Sequence, residues 1–573
     1  MVRVHLDLRD PQRHLVAVQL ELQPRLARMQ LQLPGWTPGS YLIRDYVRQL
    51  EGLEASQDGM PLPLERLGPA AWQLCPNPGG GSLTIRYRVL ATELSVRTCH
   101  LDDQHGFLAL AAVVLELEGE RWSPHQLSCS LPPAWQVFCP LACKPEANLW
   151  TARDYDALID SPLELGPHRA FNFAVAGVPH RWVCWGGAEG DDHWLLDRYP
   201  NLLADLQRVC EHCCQLMGVE RPAADHYLFV LHLLDQAYGG LEHDNGTVLV
   251  YGRRDFEKPN GYRRFLQLVA HEYLHQWNVR RLRPAELTPI DYHRPPIIPS
   301  LWFAEGVTSY LDQFIPHAAG LTSAEHLLDD LGEDLSRYQL TPGRHVQSLR
   351  SSSQEAWVKL YKADAYAPDS QVSYYLKGAV VALCLDLHLR LANSSLAAVL
   401  RALWLSHGRW GRGYSQADLL NAFAAEAADL AEQLPRWLQS LDDPDLDGYL
   451  SSVGLQLEAE MAATAWAGLG ARVEAGGLIA SRVWRFGPAE QAGVMVGDEL
   501  LGLDGERLRQ PEQFMASLQA GVSQELLISR RGQLRTLQLS SAEPRPERYR
   551  LRQRLDASAE QQERQRLWLA QVA

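Results

Sequence analysis

In the run AHEYLHQWNVRRLRP, residues 270–284, two histidines stand four places apart with a glutamate directly after the first: His271, Glu272 and His275. On a helix, residues i and i+4 share a face, so both imidazoles can reach one metal ion while Glu272 points beside it toward a bound water. That chemistry would be metal-assisted hydrolysis. Catalytic zinc takes three protein ligands and keeps a further position for water, so a carboxylate should follow on a neighbouring helix. Glu305 in LWFAEGVTSY meets that need, and its apolar neighbours Trp302, Phe303 and Val307 fit poorly with an ordinary surface glutamate. One zinc ion per chain, held by His271, His275 and Glu305, is the expectation.

The elements that must position these groups are legible from periodicity. PNGYRRFLQLVAHEYLHQWNVRRLRP is punctuated by Pro259 and Pro284 and places Phe265, Leu268, Val269 and Leu274 at helical spacing. Arg280, Arg281 and Arg283 would then fall in its last turn, where cations complement the helix dipole and can pair with acidic surroundings. A second helix is expected over SLWFAEGVTSYLDQF with Ser300 as N-cap, and a third after Thr322 and Glu325, which fit a capping box. Further helices are expected over about 374–393 and through SQADLLNAFAAEAADLAEQL.

Before residue 166 the texture is β. HLVAVQLEL puts Val16, Val18, Leu20 and Leu22 on one face, and SLTIRYRVL does the same with Leu83, Ile85, Tyr87 and Val89. An antiparallel β-sandwich follows over 1–166. Between these strands PGWTPGSYLIRDY carries a turn at Pro38 and Gly39, with Trp36 and Tyr41 as large anchors. In SLDDPDLDGYLSS, Asp443, Asp445, Asp447 and Gly448 imitate a calcium loop. Gly454 stands where its closing glutamate belongs and Pro444 lies inside it, so an acidic linker is the better reading. Cys210, His212, Cys213 and Cys214 lack a second half at metal-site spacing and read as helix residues.

At 573 residues the chain is too long for one hydrophobic core. Its net charge of −15 argues against nucleic acid or an anionic membrane surface as partner. MVRVHLDLRD lacks the apolar core of a signal peptide, no window approaches the roughly 18 uninterrupted apolar residues of a membrane span, and the ten cysteines are irregularly spaced. A cytoplasmic protein with reduced thiols is expected.

Taken together, YGGLEHDNGT, the helix pair and VSYYLKGAVVALCLDLHLR resemble the glycyl aminopeptidase family, family sixty-one of the metallopeptidases, of the gluzincin type. LPGWTPGSYLIRDY and YDALIDSPLELG are similar to that family's amino-terminal domain and its run into the catalytic domain. The resemblance implies a thermolysin-like zinc catalytic domain with a mostly helical C-terminal part over 167–445, in a multidomain α+β chain. It implies that Glu242 in GGLEH holds the substrate's free α-amine, with Gly239 and Gly240 permitting close approach. Tyr375 in YYLKG would donate a hydrogen bond to the developing oxyanion, with Tyr374 the alternative one place away. Two positions depart from the family pattern: Gly246 stands where a hydroxyl residue is expected, and Ser309 where an acidic residue often orients the metal ligands.

Residues 454–543 resemble a PDZ domain, with Gly468, Leu469, Gly470 and Ala471 as its carboxylate-binding loop, and 544–573 read as a charged helical tail. The implied function is a zinc aminopeptidase releasing small N-terminal residues such as Gly or Ala from peptides or proteins with a free N-terminus, with a peptide ligand for the PDZ-like domain. The rivals are a zinc metalloendopeptidase tethering substrate through that domain and a catalytically silent peptide-binding scaffold.

Overall fold

A computed structural model describes residues 1–144, 148–188, 191 and 193–570. The chain forms two compact units that do not follow sequence order. The first comprises Met1–Ile297, Phe314–Thr322 and Ala397–Leu419, and the second Ile298–Gln313, Ser323–Leu396 and Leu420–Ala573. The stretch 167–445 is therefore shared between them.

In the first unit, the β-rich N-terminal part contains an eight-stranded sheet and two four-stranded sheets. The alternating patterns pair as the sequence suggests. Leu22, Leu20, Val18 and Val16 lie opposite Leu83, Ile85, Tyr87 and Val89 in an antiparallel ladder, and all eight side chains are buried. One pair departs from a purely antiparallel arrangement, since Val2–Asp7 runs parallel to His125–Ser130. A parallel pair needs a long crossover, which the intervening chain supplies.

The same unit holds a mixed five-stranded sheet. Its order is Ala170–Val175, Val178–Trp185, Tyr227–Leu234, Gly246–Gly252 and Tyr238–His243, with the central pairs parallel. Gly246 packs where a Cβ would meet the carbonyl oxygen of Leu228 at 2.7 Å, so its strand neighbour explains the missing hydroxyl residue. The metal-motif helix Gly261–Leu274 follows, with Phe265, Leu268, Val269 and Leu274 buried.

That helix ends at Leu274 and not near Arg283. Beyond it, Arg280 N–H bonds back to His275 O and Leu282 N–H to Trp277 O, so the arginines stand in turns. The placement in the helix's last turn is thereby corrected, and the expected pairing with acidic neighbours holds for Arg280 and Arg283, as described below.

The second unit holds the turn Trp302–Gly306, helices Ala324–Gln339 and Tyr374–Leu391, and a six-stranded sheet within Leu469–Ser540. Ser323 caps the helix Ala324–Gln339, accepting from His326 N–H at 3.2 Å, one place after the expected Thr322. The acidic run is not a slack linker. Asp443 accepts from Tyr338 and Arg344 and lies 3.5 Å from Lys377 Nζ, and Asp445 caps the helix Leu446–Ser452.

The C-terminal stretch is only partly the expected helix. Strand Pro546–Gln553 pairs with Leu455–Met461, and among the described residues of this stretch the helix is confined to Ala559–Leu569. Its Trp568 is fully buried, donating to Tyr310 Oη at 2.8 Å. Cys210, Cys213 and Cys214 are buried in helix Leu202–Leu216, as the helix reading requires. Among the described residues no single helix is long and apolar enough to cross a membrane.

Candidate active site

In the first unit, His271 lies in the last turn of its helix and His275 at the cap. Their ring centroids are 4.6 Å apart with the planes at 90°. His275 Nδ1 lies 2.7 Å from the carbonyl oxygen of Asn278. A backbone carbonyl can only accept, so Nδ1 carries the proton and Nε2 is left as the lone-pair face. A backbone group just past the helix end thus orients this imidazole, the role that Ser309 left open. The pair fits a metal of imidazole preference.

Glu272 is buried at 4% exposure. It fits because strand Tyr238–His243 carries Gly240 against it, where a Cβ would stand 2.3 Å from Glu272 Cδ. Gly240 thus makes room for the Glu272 carboxylate. Gly239, at φ +150°, has open space ahead of its missing Cβ, and its part is backbone conformation.

Glu242 is also 4% exposed, and its Oε1 has no hydrogen-bond partner among the described residues. Carboxylate and imidazole atoms of Glu242, Glu272 and His275 all lie within 4.8 Å of one another. From the N-terminal part, Gly39 at φ +81° reaches the same place. A Cβ there would meet Glu242 Oε2 at 2.4 Å and Leu241 Cδ1 at 2.6 Å. The turn PGSY was read as a turn only, and nothing in its spacing announced this contact.

The strand of Glu242 is tied to the end of the metal-motif helix by a charge cluster. Arg280 reaches Asp160 at 2.7 Å and Asp244 at 3.0 Å, and Arg283 reaches Asp244 at 3.2 Å. Asp160 also accepts from Asp244 N–H and lies 3.3 Å from His243 Nδ1. Burial opposes ionisation of Asp244, yet Arg280, Arg283 and Arg281 outweigh it and hold its carboxyl well below the usual range. Burial likewise opposes charge on Arg280, and Asp160 and Asp244 overcome it, keeping the guanidinium firmly charged. These residues make a brace fixing Glu242 relative to His275.

In the second unit, Glu305 is 2% exposed and lies in the π-helical turn Trp302–Gly306, where a regular helix capped by Ser300 was expected. Such widened turns recur at functional sites because they re-aim one side chain without ending the helix. Gly306 meets Gly378 backbone to backbone, a Cβ on Gly306 falling 2.5 Å from Gly378 Cα. This contact lets helix Tyr374–Leu391 press against the turn that carries Glu305.

Tyr375 is one turn before Gly378 and partly accessible, whereas Tyr374 is fully buried. Ser373 caps this helix, accepting from Tyr375 N–H at 3.2 Å. Tyr375 Oη lies 3.3 Å from Tyr361 Oη, a neighbour the sequence did not single out. Burial, then the charge of Glu305, pushes the Tyr375 phenol well above its ordinary pKa, so it remains a donor.

Residues 3–167 match the Peptidase M61 N-terminal domain, and residues 264–381 match the M61 glycyl aminopeptidase. The crystal structure of an aminopeptidase N family protein from Idiomarina loihiensis is 30% identical over 99% of this chain and 100% of that one, with a TM-score of 0.91. The chain belongs to the aminopeptidase N family and carries the two M61 peptidase domains. This family member is a peptidase, a hydrolase of peptide bonds.

More distant likenesses are the M1 zinc metallopeptidase from Deinococcus radiodurans and yeast LTA4 hydrolase in complex with bestatin. The former is 14% identical over 78% of this chain and 94% of that one, at a TM-score of 0.47. The latter is 12% identical over 79% and 69%, at 0.49. No curated protein matches the sequence.

In the C-terminal β-rich part of the peptidase, Gly468 at φ +65° forms a turn, while Leu469, Gly470 and Ala471 lie in strand Leu469–Glu474 with a bulge between Gly470 and Ala471. Only the first of the four expected loop residues is therefore outside the strand. That strand is at the edge of its sheet.

Proposed function

We propose that this peptidase is a zinc-dependent aminopeptidase. The observation that carries the reading is Glu242, a buried carboxylate with an unpartnered oxygen, within 4.8 Å of Glu272 and His275 atoms. A buried carboxylate with spare acceptor capacity calls for a cation, and a substrate's α-ammonium supplies both charge and N–H donors.

His271, His275 and Glu305 would hold zinc, which supplies Lewis acidity toward the scissile carbonyl and makes the attacking water acidic near neutral pH. Glu272 accepts the proton from that water and passes it to the leaving amine, acting first as general base and then as general acid. Tyr375 donates its phenol proton in a hydrogen bond to the carbonyl oxygen as charge develops. Glu242 anchors the first residue's amine, so only the first peptide bond is presented to Glu272. Preference for Gly or Ala rests on the family resemblance, and the Gly39 turn beside Glu242 supports a shallow site there.

The C-terminal unit of this reading is a PDZ-like peptide binder. An edge strand entered through a glycine turn is suited to accepting an added peptide strand. A reducing, cytoplasmic setting is part of this reading, in keeping with ten irregularly spaced cysteines.

The test is hydrolysis of Gly-, Ala- and Leu-anilides beside an amino-blocked peptide, with Glu272→Gln as control. Release from the free-amine substrates, lost in the control, supports the proposal. Bound zinc without turnover of any substrate would leave the silent scaffold, and equal cleavage of the blocked peptide would leave the endopeptidase.

A further inference from the structure

A second set of ligand-type side chains lies in the first unit and includes none of His271, His275 and Glu305. His105, Glu164 and His232 are each fully buried, and their donor atoms lie within 4.8 Å of one another. They come from three separate places: the loop before strand Gly106–Leu108, strand Leu163–Gly166 and the otherwise apolar strand Tyr227–Leu234. We propose that His105, Glu164 and His232 form a second, structural site for a divalent transition metal, zinc by its ligand chemistry.

The polar bookkeeping of the cluster points to a missing cation. Neither ring nitrogen of His105 has a hydrogen-bond partner among the described residues, nor has Nδ1 of His232; the carboxylate of Asp102 stands 3.9 Å from His105 Nδ1, beyond hydrogen-bond reach, and Nε2 has no hydrogen-bond partner of its own. Leaving a buried donor or acceptor unsatisfied costs about 1–3 kcal/mol, so an imidazole with two such atoms is unusual without an ion or water. His105 is held by stacking on Trp185, with ring centroids 3.6 Å apart and planes at 11°, so rotation away from the cluster is restricted.

Glu164 Oε2 lies 2.8 Å from His232 Nε2, and Oε1 lies 3.0 Å from His168 Nε2 but misaligned for a hydrogen bond. Two neutral imidazoles and one carboxylate are a donor set that zinc prefers, and a dication would offset the buried negative charge. His100 and Asp102 stand behind His105, with His100 Nε2 3.0 Å from Asp102 Oδ2, a carboxylate–imidazole pair at the rim.

The alternative is a proton-sharing imidazole–carboxylate network without metal, and metal counting separates the two. The full-length chain is loaded with zinc, dialysed against metal-free buffer and analysed by mass spectrometry for metal content. The wild type should hold two equivalents. His271→Ala/His275→Ala should hold one, whatever becomes of the aminopeptidase reading, and adding His105→Phe to it should leave none.

Phenylalanine keeps the ring stacked on Trp185 while removing both nitrogens. His232→Gln serves as a second probe should His105→Phe fail to fold by circular dichroism. Cobalt loaded into His271→Ala/His275→Ala should give a visible ligand-field band that disappears on removing His105 or His232. A double variant holding no metal and showing no cobalt band overturns the proposal, as does a metal equivalent that survives loss of either histidine.

Discussion

Gly240 stands so close to Glu272 that a single added methyl would come within 2.3 Å of the carboxyl carbon. The backbone of one strand therefore sets the position of the Glu272 carboxylate on the facing helix. Gly240→Ala should leave the fold intact, because its φ is not one that needs glycine. It should nonetheless lower kcat by about 100-fold, the scale of a misplacement near 1 Å. Melting temperature and kcat measured together check this, and an active Gly240→Ala would show that Glu272 has room to spare.

Glu242→Gln keeps the shape of the side chain and removes its charge. A charge-assisted hydrogen bond contributes about 1.5–3 kcal/mol, so kcat/KM for Ala-anilide should fall roughly 10- to 150-fold. Discrimination against the amino-blocked peptide should shrink in the same variant. Unchanged discrimination would remove Glu242 from the amine site.

The two adjacent tyrosines should behave differently. Tyr375→Phe removes the phenol donor proposed for the oxyanion and should cost about 100- to 1,000-fold in kcat, the scale of losing one such donor. Tyr374→Phe alters a fully buried ring and should register chiefly as a lower melting temperature. Comparable kcat losses in both variants would contradict this assignment.

Asp244 supplies a pH test. Its carboxyl is depressed below the usual range against the opposing effect of burial, so its stabilisation is complete above the unfolded-chain value, about 3.9, and is lost as pH falls through the lower folded value. Asp244→Asn should be less stable at pH 7 by about 1.5–3 kcal/mol, the scale of a hydrogen bond to a charged group, since Arg280 keeps Asp160. It should also lose less further stability than wild type below about pH 4. Denaturant midpoints from pH 7 to pH 3 measure both, and parallel curves for the two proteins would exclude the coupling.

Much of the site was legible because helical spacing is a local rule. His271, Glu272 and His275 project together by period alone, and the apolar flank of Glu305 marked a buried carboxylate. The strand faces at Val16–Leu22 and Leu83–Val89 were equally clear, since alternation by two shows directly which side is inside. What escaped were contacts between segments far apart in sequence. Gly39 lies against Glu242 across some 200 residues, and Asp160 joins Arg280 across 120, with no periodicity to betray either. The arginines after His275 were placed in a helix because local propensity allowed it. Tertiary ion pairs with Asp160 and Asp244 instead hold them in turns.

By itself the sequence determined which chemical groups are present and which of them share a helix face, because covalent spacing and helical period suffice for that. Tertiary structure alone decided that Gly240 makes room for Glu272, that Asn278 O orients His275, and that Tyr375 is partly exposed where Tyr374 is fully buried. It also brought His105, Glu164 and His232 together from three unrelated stretches. Each of these depends on close packing between elements whose separation along the chain carries no positional information until the core has formed.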